Sequence, residues 1–138
     1  MSISVDPELY IGKQETFRKT ITESEAIIYD GLVEENNPFK LEGLKEPPSD
    51  PKIFQVRYLF MAGIIGGLLE SRIPGPGSQC VNIQFEFLGP IFIGDTIETI
   101  IELIDLNINK HLATFKIDCF TQNKNQVITG RTVMLVQP

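Results

Sequence analysis

Between Tyr58 and Leu69 no side chain carries a charge and nearly all are apolar, while Arg57, Glu70 and Arg72 close the stretch on either side. A helix that is apolar all round must be surrounded by other chain, so residues 56–72 are predicted to form a buried core helix. The stretch falls short of the roughly 20 apolar residues that a membrane span requires. Gly63, Gly66 and Gly67 each cost such a helix about 1 kcal/mol relative to alanine. Their presence implies that a neighbouring backbone comes close. A curved sheet is the element that can wrap this helix on most sides.

Upstream, residues 12–21 carry Phe17 and Ile21 among polar positions, a weak strand signal. Thr22-Glu23-Ser24-Glu25 then supplies a hydroxyl N-cap followed by acids in a first helical turn. The helix it opens is expected over 23–32, with Ile27, Ile28 and Leu32 on one face. Pro38 ends it, because the residue before proline is pushed out of the α region, and the three prolines in 44–52 mark a loop. After the central helix, Pro74-Gly75-Pro76-Gly77 is a hard break and the period changes to two. Val81, Ile83, Phe85 and Phe87 alternate with Asn82, Gln84 and Glu86, predicting a strand that buries one face against the helix. Further strands are expected over 96–106, 112–121 (Phe115, Ile117 and Cys119 on one face) and 127–136. Asn123-Lys124-Asn125 is turn chemistry that joins the last two as an antiparallel hairpin. One strand, helices and then a run of antiparallel strands is an α+β pattern.

At 138 residues the chain suits one domain, spanning 1–138. Its first ten residues show neither a basic region nor an apolar one of the kind that begins a secretory signal, which gives a cytoplasmic expectation. Cys80 and Cys119, the two cysteines, sit in apolar or alternating segments and fit buried reduced thiols better than a disulfide or a metal site. Nothing in the sequence calls for a metal or another cofactor. Twelve basic against eighteen acidic residues give a net charge of −6, which opposes nucleic acid and anionic membranes at long range. His111, the single histidine, lies beside the turn expected at Asn107-Ile108-Asn109-Lys110 and is expected to be exposed.

Four stretches in order carry a likeness to a known family. They are Ile21-Thr22-Glu23-Ser24-Glu25, Asn36-Asn37-Pro38, Ile73-Pro74-Gly75-Pro76-Gly77 and the run from Phe87 to Thr96, FLGPIFIGDT. In them the chain resembles the MaoC-like, or (R)-specific enoyl-CoA hydratase, group of the hot-dog fold, in which a curved antiparallel sheet wraps one long helix. The resemblance implies a homodimer with the two sheets joined edge to edge, and a thioester of coenzyme A or of acyl carrier protein as the ligand.

The family's active loop has the form D-x-N-P-x-H, its aspartate and histidine acting on the water that adds across an enoyl thioester. Aligned on Asn37-Pro38, this chain reads Glu35-Asn36-Asn37-Pro38-Phe39-Lys40, with glutamate for the aspartate and lysine for the histidine. The family's His-Gly pair at the start of the central helix, whose glycine N–H resembles an oxyanion donor, falls on Arg57-Tyr58. Hydration needs a base for water, an acid for Cα and donors for the enolate oxygen. Lysine normally titrates near 10.4 against about 6.5 for histidine, and a neighbouring glutamate favours its charged form. Lys40 is therefore expected to be a cation and Glu35 the base, with the Tyr58 side chain expected to crowd the thioester. Asn37, Pro38, Arg57, Tyr58 and Met61 are the candidate substrate-binding residues; Phe54, Tyr58, Phe60 and Met61 fit either an acyl tunnel or plain core.

Two readings of different class follow. One is a hydratase or dehydratase of MaoC-like type with an altered Glu/Lys dyad. The other is a non-catalytic hot-dog relative that binds an acyl ligand or serves as a subunit of a complex. A thioesterase is a weaker third, since the four stretches resemble the hydratase branch.

Overall fold

A computed structural model of the chain describes residues 8–33 and 56–136. The elements are β1 (Gln14–Thr20), α1 (Glu23–Val33), α2 (Tyr58–Ser71), β2 (Gln79–Phe87), β3 (Thr96–Asn107), β4 (Leu112–Phe120) and β5 (Gln126–Leu135). The five strands form one antiparallel sheet in the order β1-β3-β4-β5-β2. β1 and β2 are thus its two edges. Glu35, Asn37, Pro38, Lys40 and Phe54, with the loop expected over 44–52, lie outside the described residues.

Strand alternation makes the core. Ile97, Ile101 and Leu103 of β3, Ala113, Phe115, Ile117 and Cys119 of β4, and Ile128 and Met134 of β5 are all buried on one face of the sheet. Against that face α2 presents Met61, Ile65 and Leu69, positions four apart that share one side of a helix. Burying whole side chains of this size contributes roughly 1.5–3 kcal/mol each, which outweighs the helix's three glycines. No helix among the described residues is long and apolar enough to cross a membrane.

The expectations for the central helix, for β2 and for His111 need correction. The central helix is not covered all round: Leu59 is 70% exposed, and a Cβ added at Gly63, Gly66 or Gly67 meets nothing within 4 Å among the described residues. Among the described residues, then, these glycines admit no neighbouring backbone. That service belongs to Gly130 on β5, where an added Cβ would collide with the Gln84 carbonyl oxygen and lie 2.8 Å from Phe85 Cα. Next, β2 buries only part of its apolar set. Phe85 and Phe87 pack on the core, whereas Val81 falls at the register shift between Cys80 and Asn82, and both it and Ile83 are exposed on this edge strand. The first helix forms where it was expected, and its face of Ile27, Ile28 and Leu32 is exposed in the single chain. His111 also departs from expectation: it is half-buried, and its Nδ1 is buried with no hydrogen-bond partner.

Candidate active site

The amino end of α2 is tied to three distant parts of the chain. Val56 N–H donates to Ile91 O (2.7 Å), fixing the helix entrance to the loop after β2. Arg57 Nε pairs with Asp30 Oδ1 of α1 at 2.8 Å, and one residue earlier on α1 the Tyr29 ring meets Phe60 with centroids 5.2 Å apart. The ion pair is half-exposed and contributes about 0–1 kcal/mol, so its value is positional. It holds the last turn of α1 beside the start of α2, and Glu35 follows α1 by only two residues.

Arg57 is the N-cap with an extended backbone and no side-chain cap. The Phe60 and Met61 N–H groups bond back to Arg57 O at 3.1 and 3.3 Å. The N–H groups of Tyr58 and Leu59 precede any intrahelical acceptor and have no partner among the described residues. Two donors at the positive end of a 14-residue helix form a place for an oxygen that carries negative charge.

Tyr58 does not block that place with its ring. The ring stacks on Phe87 with centroids 4.4 Å apart and planes 16° from parallel, and its hydroxyl donates to Gly89 O at 3.1 Å. Held at both its face and its tip, the side chain is directed onto β2 and the loop that follows. Phe85 meets the far side of this group edge-on, 6.5 Å from Phe87. No local pattern points to Asp30, Phe87 and Gly89 as partners, since those contacts join residues 27 to 31 positions apart.

The segment from Phe87 to Thr96 acts as a clamp. Asp95 accepts from Phe92 N–H (2.9 Å) through one oxygen and from Gln122 Nε2 (3.0 Å) through the other. Gly94, at φ 96°, donates to Ile21 O, and Ile21 N–H donates back to Asp95 O. The turn therefore joins the start of α1, the entrance to α2 and the β4–β5 hairpin. Only glycine adopts that φ without strain, which explains the Gly-Asp pair in chemical terms.

Arg57 and Tyr58 are thus brought together at the helix entrance, but Met61 is not with them. It is buried one turn further on, in a slot facing β1. Burial pushes the Cys119 thiol up to about 11 despite its contact with Thr99, and burial likewise raises Cys80. Neither is disposed to act as a thiolate nucleophile at neutral pH. Among the described residues no group of three His, Cys, Asp or Glu side chains could hold a metal ion.

An antiparallel sheet with a long helix seated across it is the arrangement of the hot-dog class. No protein-family model matches the chain. It is 31% identical over 128 residues to an (R)-specific enoyl-CoA hydratase of Rhodospirillum rubrum, covering 91% of this chain and 86% of that one. Identity to an (R)-specific enoyl-CoA hydratase of Aeromonas caviae is 27%, over 91% and 94% of the two chains. A solved (R)-hydratase from A. caviae, described as involved in PHA biosynthesis, superposes with a TM-score of 0.77 at 26% identity, over 95% of this chain and 99% of that one. The chain belongs to the MaoC-like, (R)-specific enoyl-CoA hydratase family.

Proposed function

We propose that the protein adds water reversibly to a 2-enoyl thioester of coenzyme A, yielding the (R)-3-hydroxyacyl thioester. The observation that carries this reading is the pair of amides at the α2 entrance that have no partner among the described residues, with the Tyr58 ring drawn aside onto Phe87, in a chain whose relatives carry this activity in their names. The thioester oxygen sits on the Tyr58 and Leu59 N–H groups. Glu35 takes a proton from water as the water oxygen bonds to Cβ, and the π electrons move onto the thioester oxygen as an enolate. Lys40, as an ammonium, delivers a proton to Cα, and the carboxylic acid of Glu35 then returns one to the lysine. Asn37 and Pro38 stand in sequence between the two groups, and the Arg57–Asp30 pair ties the end of α1, which Glu35 follows by two residues, to the start of α2.

Glutamate for aspartate displaces the carboxylate by about one methylene, and an error of that size can cost on the order of 10²-fold. Lysine is also poorly matched to proton transfer near neutrality. Turnover is accordingly expected to be slow. The test is hydration of a short enoyl-CoA, followed by loss of the conjugated thioester's absorbance. Glu35→Gln should lower the rate by roughly 10²–10⁴-fold, and the double change Glu35→Asp with Lys40→His should raise it. A Glu35→Gln protein as fast as wild type removes Glu35 from the chemistry.

A further inference from the structure

Between α2 and the edge strand β1 lies a slot of about 260 Å³, on the helix face that carries Met61, Ile64, Leu68 and Arg72. That volume is just below the roughly 300–1,000 Å³ of drug-sized pockets, so it suits a small ligand. Its walls are apolar: Met61, Ile64 and Leu68 from the helix meet Phe17 and Ile97 from the sheet, and Ile21 closes one side. Three cations stand with them, Arg18, Lys19 and Arg72.

The three are not equivalent. Arg18 is paired with Glu98 at 2.7 Å, and Lys19 is paired with Glu25. Those two pairs cancel locally. Arg72 sits at the C-cap of α2, its backbone N–H is bound to Leu68 O at 2.8 Å, and its guanidinium has no partner among the described residues. The slot therefore offers an apolar interior and one net positive charge, in a chain whose overall charge is −6. Anions are repelled by the molecule as a whole, so one that binds here must be recognised at short range.

We propose that this slot binds a medium-chain aliphatic carboxylate, its alkyl tail lying along Met61, Ile64 and Leu68 and its carboxylate on the Arg72 guanidinium. The planar fork of arginine matches a carboxylate with two parallel N–H···O bonds. The tail supplies affinity by leaving water, and the head group fixes its direction. This site is separate from the hydration chemistry and stands or falls without it.

Calorimetric titration of the full chain with octanoate, octanol and acetate, on wild type and on Arg72→Gln, tests the proposal. Octanoate should bind saturably to wild type, with octanol and acetate each weaker by about tenfold or more, the scale of one charge-assisted pair. Arg72→Gln should bring octanoate down to the octanol level with an unchanged unfolding midpoint, because the side chain is exposed. Equal binding of octanol and octanoate would reduce the slot to a greasy surface. Acetate binding as tightly as octanoate would leave only a surface ion pair. No octanoate binding by wild type, or unchanged binding by Arg72→Gln, overturns the proposal outright.

Discussion

Gly66 and Gly130 look alike in the sequence and carry opposite predictions. A Cβ on Gly66 enters open space within α2, among the described residues. Gly66→Ala should therefore stabilise by about 0.4–1 kcal/mol, through lower entropy of the unfolded chain and better helix propensity. A Cβ on Gly130 strikes the β2 backbone at Gln84 and Phe85. Gly130→Ala should cost about 1–3 kcal/mol, the usual penalty for overpacking. Thermal unfolding of both variants checks the pair, and a loss of stability in Gly66→Ala would show that something does cover that face. The residue types were readable, but which glycine meets a neighbour depends on strand pairing, which no local pattern encodes. The same holds for Tyr58: its place at the helix entrance followed from the PGPG break, while its anchors on Phe87 and Gly89 required the folded sheet.

Elements were legible where a local chemical signal marked them. Thr22-Glu23-Ser24-Glu25 folds as a reciprocal capping box: Glu25 N–H donates to Thr22 Oγ1 (3.3 Å), and Glu25 Oε1 accepts from Thr22 N–H (3.2 Å) and from its hydroxyl (2.7 Å). Hydrogen bonding to Lys19, and then to Thr22, holds the Glu25 carboxyl below its ordinary value of 4.5. A lowered folded pKa means that this contribution is present above 4.5 and is lost as pH falls through the lower folded value. Acidification through that window should weaken wild type more than Glu25→Gln, and denaturant unfolding at matched pH values measures the difference. Equal acid sensitivity in the two proteins would remove the carboxylate from the cap. The register shift in β2 and the exposed face of α1 had no comparable signal. An apolar alternation looks the same whether the strand is central or at an edge, so Val81 and Ile83 read as core although they are exposed.

The two edges of the sheet are built differently, and this bears on assembly. β1 carries Glu15, Arg18 and Lys19, charges that discourage further strand pairing, whereas β2 leaves Val81 and Ile83 exposed at 53% and 46%. We expect β2 to meet its counterpart in a second copy, as a two-fold dimer. Light scattering at micromolar concentration should give twice the chain mass, and Val81→Lys with Ile83→Lys should give a monomer; a monomeric wild type would contradict the pairing. The fold and the family were visible in advance because short stretches spread through the chain carry the likeness, and those at 21–25, 73–77 and 87–96 each fix a turn or a helix end that the architecture needs. The outcome of the dyad's changes was not, since a rate depends on positions within about 0.5 Å that residue types do not specify. The most direct measurement is turnover of a short trans-2-enoyl-CoA by the wild-type protein, with the configuration of the product determined. The account predicts slow conversion to the (R)-3-hydroxyacyl thioester alone, whereas a thioester that binds and is never hydrated, or an (S) product, would contradict it.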